Sequence, residues 1–210
     1  AAQNSVSAYT TLEEPLANLY PKLRRDMRAE IRRICKENRL TAVYVTHDRQ
    51  EALSMADRIA VLRDGILLQA RTPREVYARP VNGFVAGFIG ETNFIAAKLV
   101  DRTGSGVRLD TVFGQLVSTV PCDSLPVGAR VRLSIRPESL HLDGGDENCF
   151  TAQLAETTYL GEISEHLVKV HDGLALKVFE LNPRRDLKPG MALRLAVDPG
   201  DIVVLPDDQE

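Results

Sequence analysis

A chain of 210 residues with 44% hydrophobic side chains has room for one or two domains with substantial cores. Its net charge of −3 argues against nucleic acid as the main partner, and no apolar run approaches the roughly 20 residues that span a bilayer. Aromatic residues make up 5% and tryptophan is absent, which weighs against recognition by stacking on bases or sugars. Nothing reads as a secretory signal, and Cys35, Cys122 and Cys149 are widely spaced without a CxxC pattern, so they read as reduced thiols of a cytoplasmic protein.

Residues 1–11 (AAQNSVSAYTT) are small, polar and without periodicity, the pattern of a disordered or non-native start. Pro21 to Asn38 reads as a helix, with Leu23, Met27, Ile31, Ile34 and Cys35 on one stripe and Pro21 acceptable at its first position. Its other face carries Lys22, Arg24, Arg25, Arg28, Arg32, Arg33, Lys36 and Arg39, a solvated face or a docking surface for a partner subunit. The next segment, LTAVYVTHDRQEALSMADRIAVLRDG (residues 40–65), is the most informative in the chain. A β-branched run, Thr41 to Val45, ends in Thr46-His47-Asp48, where a helix opens with Asp48 as N-cap and Glu51 at capping-box spacing. A second apolar run, Ile59 to Leu62, reaches an Asp64-Gly65 hairpin turn. A histidine at the end of a buried strand, where a helix begins, sits where a phosphate can be met. Thr72-Pro73-Arg74-Glu75 is a further cap signature, and a short helix around Gly83 to Phe88 places Phe84, Val85 and Phe88 on one face.

From Asn93 onward the segments are short, β-rich and punctuated by Gly and Pro, which signals a sandwich or barrel. An internal repeat lies here: Leu125, Gly128, Arg132, Leu133 and Pro137 recur at a constant offset as Leu187, Gly190, Arg194, Leu195 and Pro199. Each copy reads turn, strand, Pro-turn, strand, with Leu140 and Ile202 three residues beyond the proline. Two related small barrels, or two halves of one composite barrel, are expected.

The segment around His47 resembles the switch-histidine segment of ABC-transporter ATPases. Glu13-Glu14-Pro15-Leu16-Ala17-Asn18-Leu19 is similar to the end of that family's Walker B strand and the loop after it. The resemblance implies that His47 contacts the terminal phosphate of ATP and that Glu14 is the carboxylate that polarises the attacking water. Glu13 stands where the family has the Asp that helps hold Mg²⁺, and its extra methylene shifts the oxygen by about 1 Å. Tyr20 stands where the family has Asp, losing a helix N-cap worth roughly 1 kcal/mol. No GxxxxGK[ST] or LSGGQ-like segment occurs, so the glycine loop and lysine that cradle phosphates are not in this chain. ATP and Mg²⁺ are therefore cofactors of the intact family, expected not to bind this chain tightly, and the chain alone is expected to be inactive as an ATPase.

The C-terminal half resembles the TOBE accessory domain of importer ATPases through Gly90-Glu91-Thr92-Asn93-Phe94, Ile135-Arg136-Pro137-Glu138, Tyr159-Leu160-Gly161-Glu162 and Val203-Val204-Leu205. With Thr72-Pro73-Arg74-Glu75-Val76-Tyr77 this points to the branch serving maltose, polyamine, iron and sulfate import, and Gly-Glu-Thr-Asn looks more like the polyamine and iron members. Arg71 departs from the glycine usual before Thr-Pro. Arg136 and Glu138 match a recurrent Arg-Pro-Glu and are candidate regulatory contacts. His141, His166 and His171 show no metal-ligand spacing and read as surface or core residues.

The resemblance implies an α/β remnant of a P-loop ATPase domain over residues 12–90, then an all-β OB-like TOBE domain with an internal repeat over residues 91–210. The function implied is the C-terminal portion of the ATP-binding subunit of an importer, cytoplasmic and peripheral at the inner face of the membrane through transmembrane permease subunits. The alternative is a stand-alone ligand-binding or regulatory TOBE module without ATPase activity. The stripe of helix 21–38 and the strand 41–45 need an apolar partner, most simply a second copy of the chain. A homodimer is expected: sedimentation at micromolar concentration should show a dimer or larger, and monomeric behaviour refutes it.

Overall fold

The computed structural model describes residues 9–16, 20–104, 106–142, 144–145 and 147–207. Residues 1–8 of the expected disordered start, and Ala17 to Leu19 of the loop resembling the ATPase family, lie outside the described residues. The chain divides into two compact units, Ala1–Tyr77 and Ala78–Glu210. The division falls earlier than the 90/91 boundary expected, because the helix at 83–89 belongs with the β-rich unit.

In the first unit, β1 (Tyr9–Glu13) and β2 (Thr41–Val45) pair in parallel, joined by α1 (Pro21–Glu37) in a βαβ crossover. Tyr9 to Thr11 were expected in the disordered start, yet they form the first half of β1, opposite Thr41 to Val43. Tyr and Thr favour extended backbone, and β2 supplies the ladder that a sequence window does not show. The strand expected to be buried is not: Val43 and Val45 are 51% and 54% exposed, and none of the α1 side chains described is buried. Tyr20 gives α1 no side-chain cap, as expected from the missing carboxylate. Arg33 pairs with Glu30 and Glu37 along the helix, and Lys36 with Asp57. Such exposed pairs contribute little.

Then follow α2 (Arg49–Met55), the hairpin β3 (Ile59–Arg63) and β4 (Ile66–Arg71), and α3 (Pro73–Ala78). The hairpin turns on Asp64 and Gly65, both with positive φ (50° and 78°), the backbone that a two-residue type I′ turn requires. At α3 the capping box is reciprocal: the Glu75 carboxylate accepts the Thr72 N–H at 3.0 Å, and Thr72 Oγ1 accepts the Glu75 N–H at 3.4 Å. The hydrogen bonds from Thr72 hold the Glu75 carboxyl below its ordinary range.

The second unit opens with α4 (Gly83–Ile89), capped by Asn82 and burying Val85, Ala86 and Ile89. Phe84 and Phe88 stack on each other at 5.6 Å on another face. Val85 therefore parts from them, since it lies one residue, about 100°, from Phe84.

Ten strands follow among the described residues: β5 (Asn93–Thr103), β6 (Gly106–Thr111), β7 (Gly114–Ser118), β8 (Arg130–Ile135) and β9 (Leu140–Leu142), then β10 (Cys149–Tyr159), β11 (Ile163–Lys169), β12 (Ala175–Leu181), β13 (Ala192–Val197) and β14 (Val203–Pro206). They form two five-stranded sheets, ordered β14-β8-β5-β6-β7 and β9-β13-β10-β11-β12. The repeat read from the sequence is thus a structural repeat in which the last strand of each copy pairs in the sheet of the other. Local detail repeats as well. The long first strands carry equivalent register shifts at Leu99/Asp101 and Leu154/Glu156. Gly128 and Gly190, each at φ 90°, donate their N–H to Leu99 O and Leu154 O at 2.7 and 2.8 Å. One core runs through both copies, with Ile95, Leu99, Leu109, Leu116, Leu133, Leu154, Leu176 and Leu195 all fully buried.

Two asparagines fasten the copies together. Asn93, at the start of β5, donates to Lys177 O at 2.8 Å and accepts the Lys177 N–H at 2.7 Å. Asn148, just before β10, donates to Val117 O at 2.9 Å and accepts the Val117 N–H at 2.6 Å, and also donates to Val197 O at 3.1 Å. Each side-chain amide thus acts as a peptide unit toward the outer strand, β12 or β7, of the other copy. Asn148→Ala removes the partners of both Val117 groups and is expected to lower stability by about 2–3 kcal/mol. Gly106→Ala places a Cβ only 2.1 Å from Ser118 O, an overpacking expected to cost about 1–3 kcal/mol. Urea unfolding of both variants checks these values.

Candidate functional site

Parallel strands end on the same side of their sheet, so β1 and β2 deliver the residues that follow them to one place. Glu13 is opposite Val45, and the next residue, Glu14, donates its N–H to Val45 O at 3.0 Å. Glu14 sits at φ 43°, a left-handed conformation uncommon outside glycine. There its carboxylate meets the ring of His47: Glu14 Oε1 and His47 Nδ1 are in hydrogen-bonding contact across 33 residues of sequence. Both side chains face solvent, His47 at 77% and Glu14 at 45% exposure. Glu13, the last residue of β1, is exposed beside them.

The turn that carries His47 is heavily hydrogen-bonded. Asp48 caps α2, accepting the N–H groups of Gln50 and Glu51 at 2.7 and 3.2 Å. Arg24 of α1 reaches the second Asp48 oxygen at 3.3 Å. The capping-box spacing is realised only in part. Glu51 does not return to the Asp48 N–H, which instead donates to Thr46 Oγ1 at 2.9 Å. The Glu51 carboxylate is buried and accepts the hydroxyls of Tyr44 and Thr46 at 2.9 and 2.8 Å. Burial, with the Glu51 carboxylate second, pushes the Tyr44 phenol above its ordinary range.

The second candidate pair is in the other unit. Arg136 is buried, and its Nη1 donates to Ala86 O at 2.9 Å and Glu91 O at 2.8 Å. A cation thus closes the C-terminal end of α4, where free carbonyls and the helix dipole favour positive charge. Glu138 is exposed on the single helical turn Pro137–Ser139. His166 is buried between Thr157 Oγ1 at 2.9 Å and Glu180 Oε2 at 3.2 Å, whereas His141 and His171 are exposed. Among the described residues no group of three or more His, Cys, Asp or Glu is arranged to hold a metal ion.

Glu14 and His47 are therefore brought together. The sequence reading missed the group formed by buried Glu51 and half-buried Tyr44 and Thr46. Its signal was present: Tyr44 and Thr46 are two apart at the end of the β-branched run, the spacing of one strand face, with an acid on the first turn of the next helix.

Residues 133–205 match the TOBE domain family. The chain is 43% identical over 201 residues to the spermidine/putrescine import ATP-binding protein PotA 1 of Pseudomonas aeruginosa, covering 93% of this chain and 54% of that protein. It is 40% identical over 203 residues to the PotA protein of Pseudomonas fluorescens, with the same coverage. The chain is a homologue of the C-terminal part of importer ATP-binding subunits and carries a TOBE domain. It spans about half the length of these PotA relatives. Among solved structures, the molybdate-bound cytoplasmic molybdate-binding protein ModG aligns with 53% of this chain and 94% of its own at 14% identity and a TM-score of 0.48. The TOBE match starts within β8, but the physical unit extends back to β5: β14 pairs with β8, and β8 with β5.

Arg136→Met removes the donor for two carbonyls at the end of α4 and is expected to cost about 2–3 kcal/mol in thermal unfolding.

Proposed function

We propose that this chain acts as the C-terminal part of an ATP-binding subunit that drives solute import. In this reading its first unit is part of a P-loop ATPase domain and its second is the dimerising and regulatory TOBE domain. The observation that carries it is the Glu14–His47 contact at the carboxyl ends of two parallel strands. With Nδ1 engaged by Glu14, His47 Nε2 is the atom that meets a terminal phosphate oxygen. Glu14 orients and polarises the attacking water, and Glu13 is the carboxylate on the metal side. The glycine loop and lysine that cradle phosphates are not in this chain, so these two exposed carboxylates and the imidazole would complete a site for a nucleotide and its magnesium ion only together with those elements. When bound, Mg²⁺ neutralises charge developing on the transferred phosphoryl group.

The names of the relatives favour a polyamine as the transported solute. Permease subunits in the membrane are then partners, and the site is the inner face of the cell membrane. No helix among the described residues is long and apolar enough to cross a membrane, in keeping with a peripheral subunit. Exposed Leu23 and Ile34 on α1, with Val43 and Val45 on β2, supply an apolar surface for a second subunit. Of the Arg136-Pro137-Glu138 turn, the regulatory contact in this reading falls to the exposed Glu138.

The test is a chimaera in which this chain replaces the matching part of the P. aeruginosa relative. ATP hydrolysis is expected, falling at least about 100-fold in Glu14→Gln and in His47→Ala. Hydrolysis that both variants leave intact overturns the assignment.

A further inference from the structure

Why should a carboxylate be buried directly behind an exposed histidine? Glu51 is 3% exposed, and burying an ionised carboxylate is costly unless hydrogen bonds compensate for lost water. Here the donors come from β2 and the residue just after it: Tyr44 Oη at 2.9 Å and Thr46 Oγ1 at 2.8 Å share one oxygen, Oε2. Thr46 is the residue before His47. Its hydroxyl gives its proton to Glu51 and uses a lone pair to accept the N–H of Asp48, the residue after His47, at 2.9 Å. A hydroxyl that donates to a carboxylate is polarised and becomes a better acceptor, so the two bonds reinforce each other. Asp48 is then held a second time, by Gln50 N–H at 2.7 Å and by Arg24 of α1 at 3.3 Å.

Both neighbours of His47 in the chain are therefore fixed while its own side chain faces solvent and meets Glu14, and the fixing begins at Glu51. We propose that Glu51 is the positioning residue of this site: through Thr46 it fixes the direction in which β2 hands His47 to Glu14. An apolar residue at this position could fill the volume but could not orient the Thr46 hydroxyl toward the Asp48 N–H. The proposal rests on the reading of His47 as the phosphate-facing group only for its importance. The geometry it predicts exists without nucleotide.

The test uses the whole chain in solution and two nuclear magnetic resonance readouts. The first is the shift of the His47 ring cross-peak caused by Glu14→Gln, which reports their contact. The second is hydrogen exchange of the Asp48 amide, which reports the Thr46 bond. In Glu51→Ala the ring peak is expected to stop responding to Glu14→Gln, and Asp48 exchange to quicken by about tenfold or more. Glu51→Gln keeps an acceptor oxygen and is expected to retain both behaviours. Thr46→Val, which leaves Glu51 in place, is expected to reproduce the loss, and Thr46→Ser to restore it; this pair decides the matter should Glu51→Ala fail to fold. A purely structural Glu51 would lower the unfolding temperature without altering the response of His47 to Glu14. Persistence of that response in Glu51→Ala, or in Thr46→Val, overturns the proposal. Neither readout involves nucleotide, so either this proposal or the ATP assignment can fail while the other stands.

Discussion

The second unit depends on one constraint: neither copy of its repeat can complete its own sheet. β9 follows β8 in the chain but pairs with β13, while β14 follows β13 and pairs with β8. Separating the copies would strip each five-stranded sheet of an outer strand and cut a core that runs through both. The exchange begins at Pro137 and Pro199. Each opens a single helical turn, and the following strand then crosses to the other sheet. Asn93 and Asn148 perform the reciprocal task at the other side, bonding the backbone of β12 and β7. Their amides offer one donor and one acceptor in a peptide-like arrangement, so the outer strands are engaged where a neighbouring strand is absent.

The first unit is ordered by different means. Among the described residues its two sheets, β1-β2 and β3-β4, are each two strands wide, its long helix buries none of its described side chains, and its exposed residues include Val43 and Val45. Local hydrogen bonds hold it in place of a broad core: the Asp48 cap, the Thr72–Glu75 box, the Glu51 carboxylate with its two hydroxyls, and the Arg24–Asp48 pair between α1 and α2. This suits a site at a surface. Glu14 and His47 need precise direction with open access, and direction here comes from the backbone of two parallel strands and from groups beneath them.

How far the sequence disclosed this differs by element. Helix 21–38, the Asp64-Gly65 hairpin, the caps at Asp48 and Thr72, and the repeat were legible, because each is written in residues close together or at a fixed offset. β1 was missed over Tyr9 to Thr11 because its warrant is a partner strand some thirty residues away, not its own pattern. The crossing of β9 and β14 was equally out of reach: the repeat shows that two strands are equivalent, not which sheet each joins. At the site, the resemblance brought Glu14 and His47 to notice. The role of Glu51 was obscured because its capping-box spacing offered a simpler local explanation, from which Tyr44 and Thr46 divert its carboxylate.

That diversion shows how one residue pattern serves two ends. In the Thr72–Glu75 box the acid returns to the backbone at the start of its own helix, and the result is a helix end and nothing more. At Asp48 the N-cap needs no help from Glu51, because Thr46 already takes the Asp48 N–H. The acid is released from capping and can be buried against the strand instead. The condition for this is a hydroxyl two residues before the cap, with the intervening position left free to face solvent. His47 occupies that position. The same three bonds that relieve Glu51 of its usual duty thus leave a single exposed side chain, held from both sides, at the end of a strand whose parallel neighbour presents Glu14.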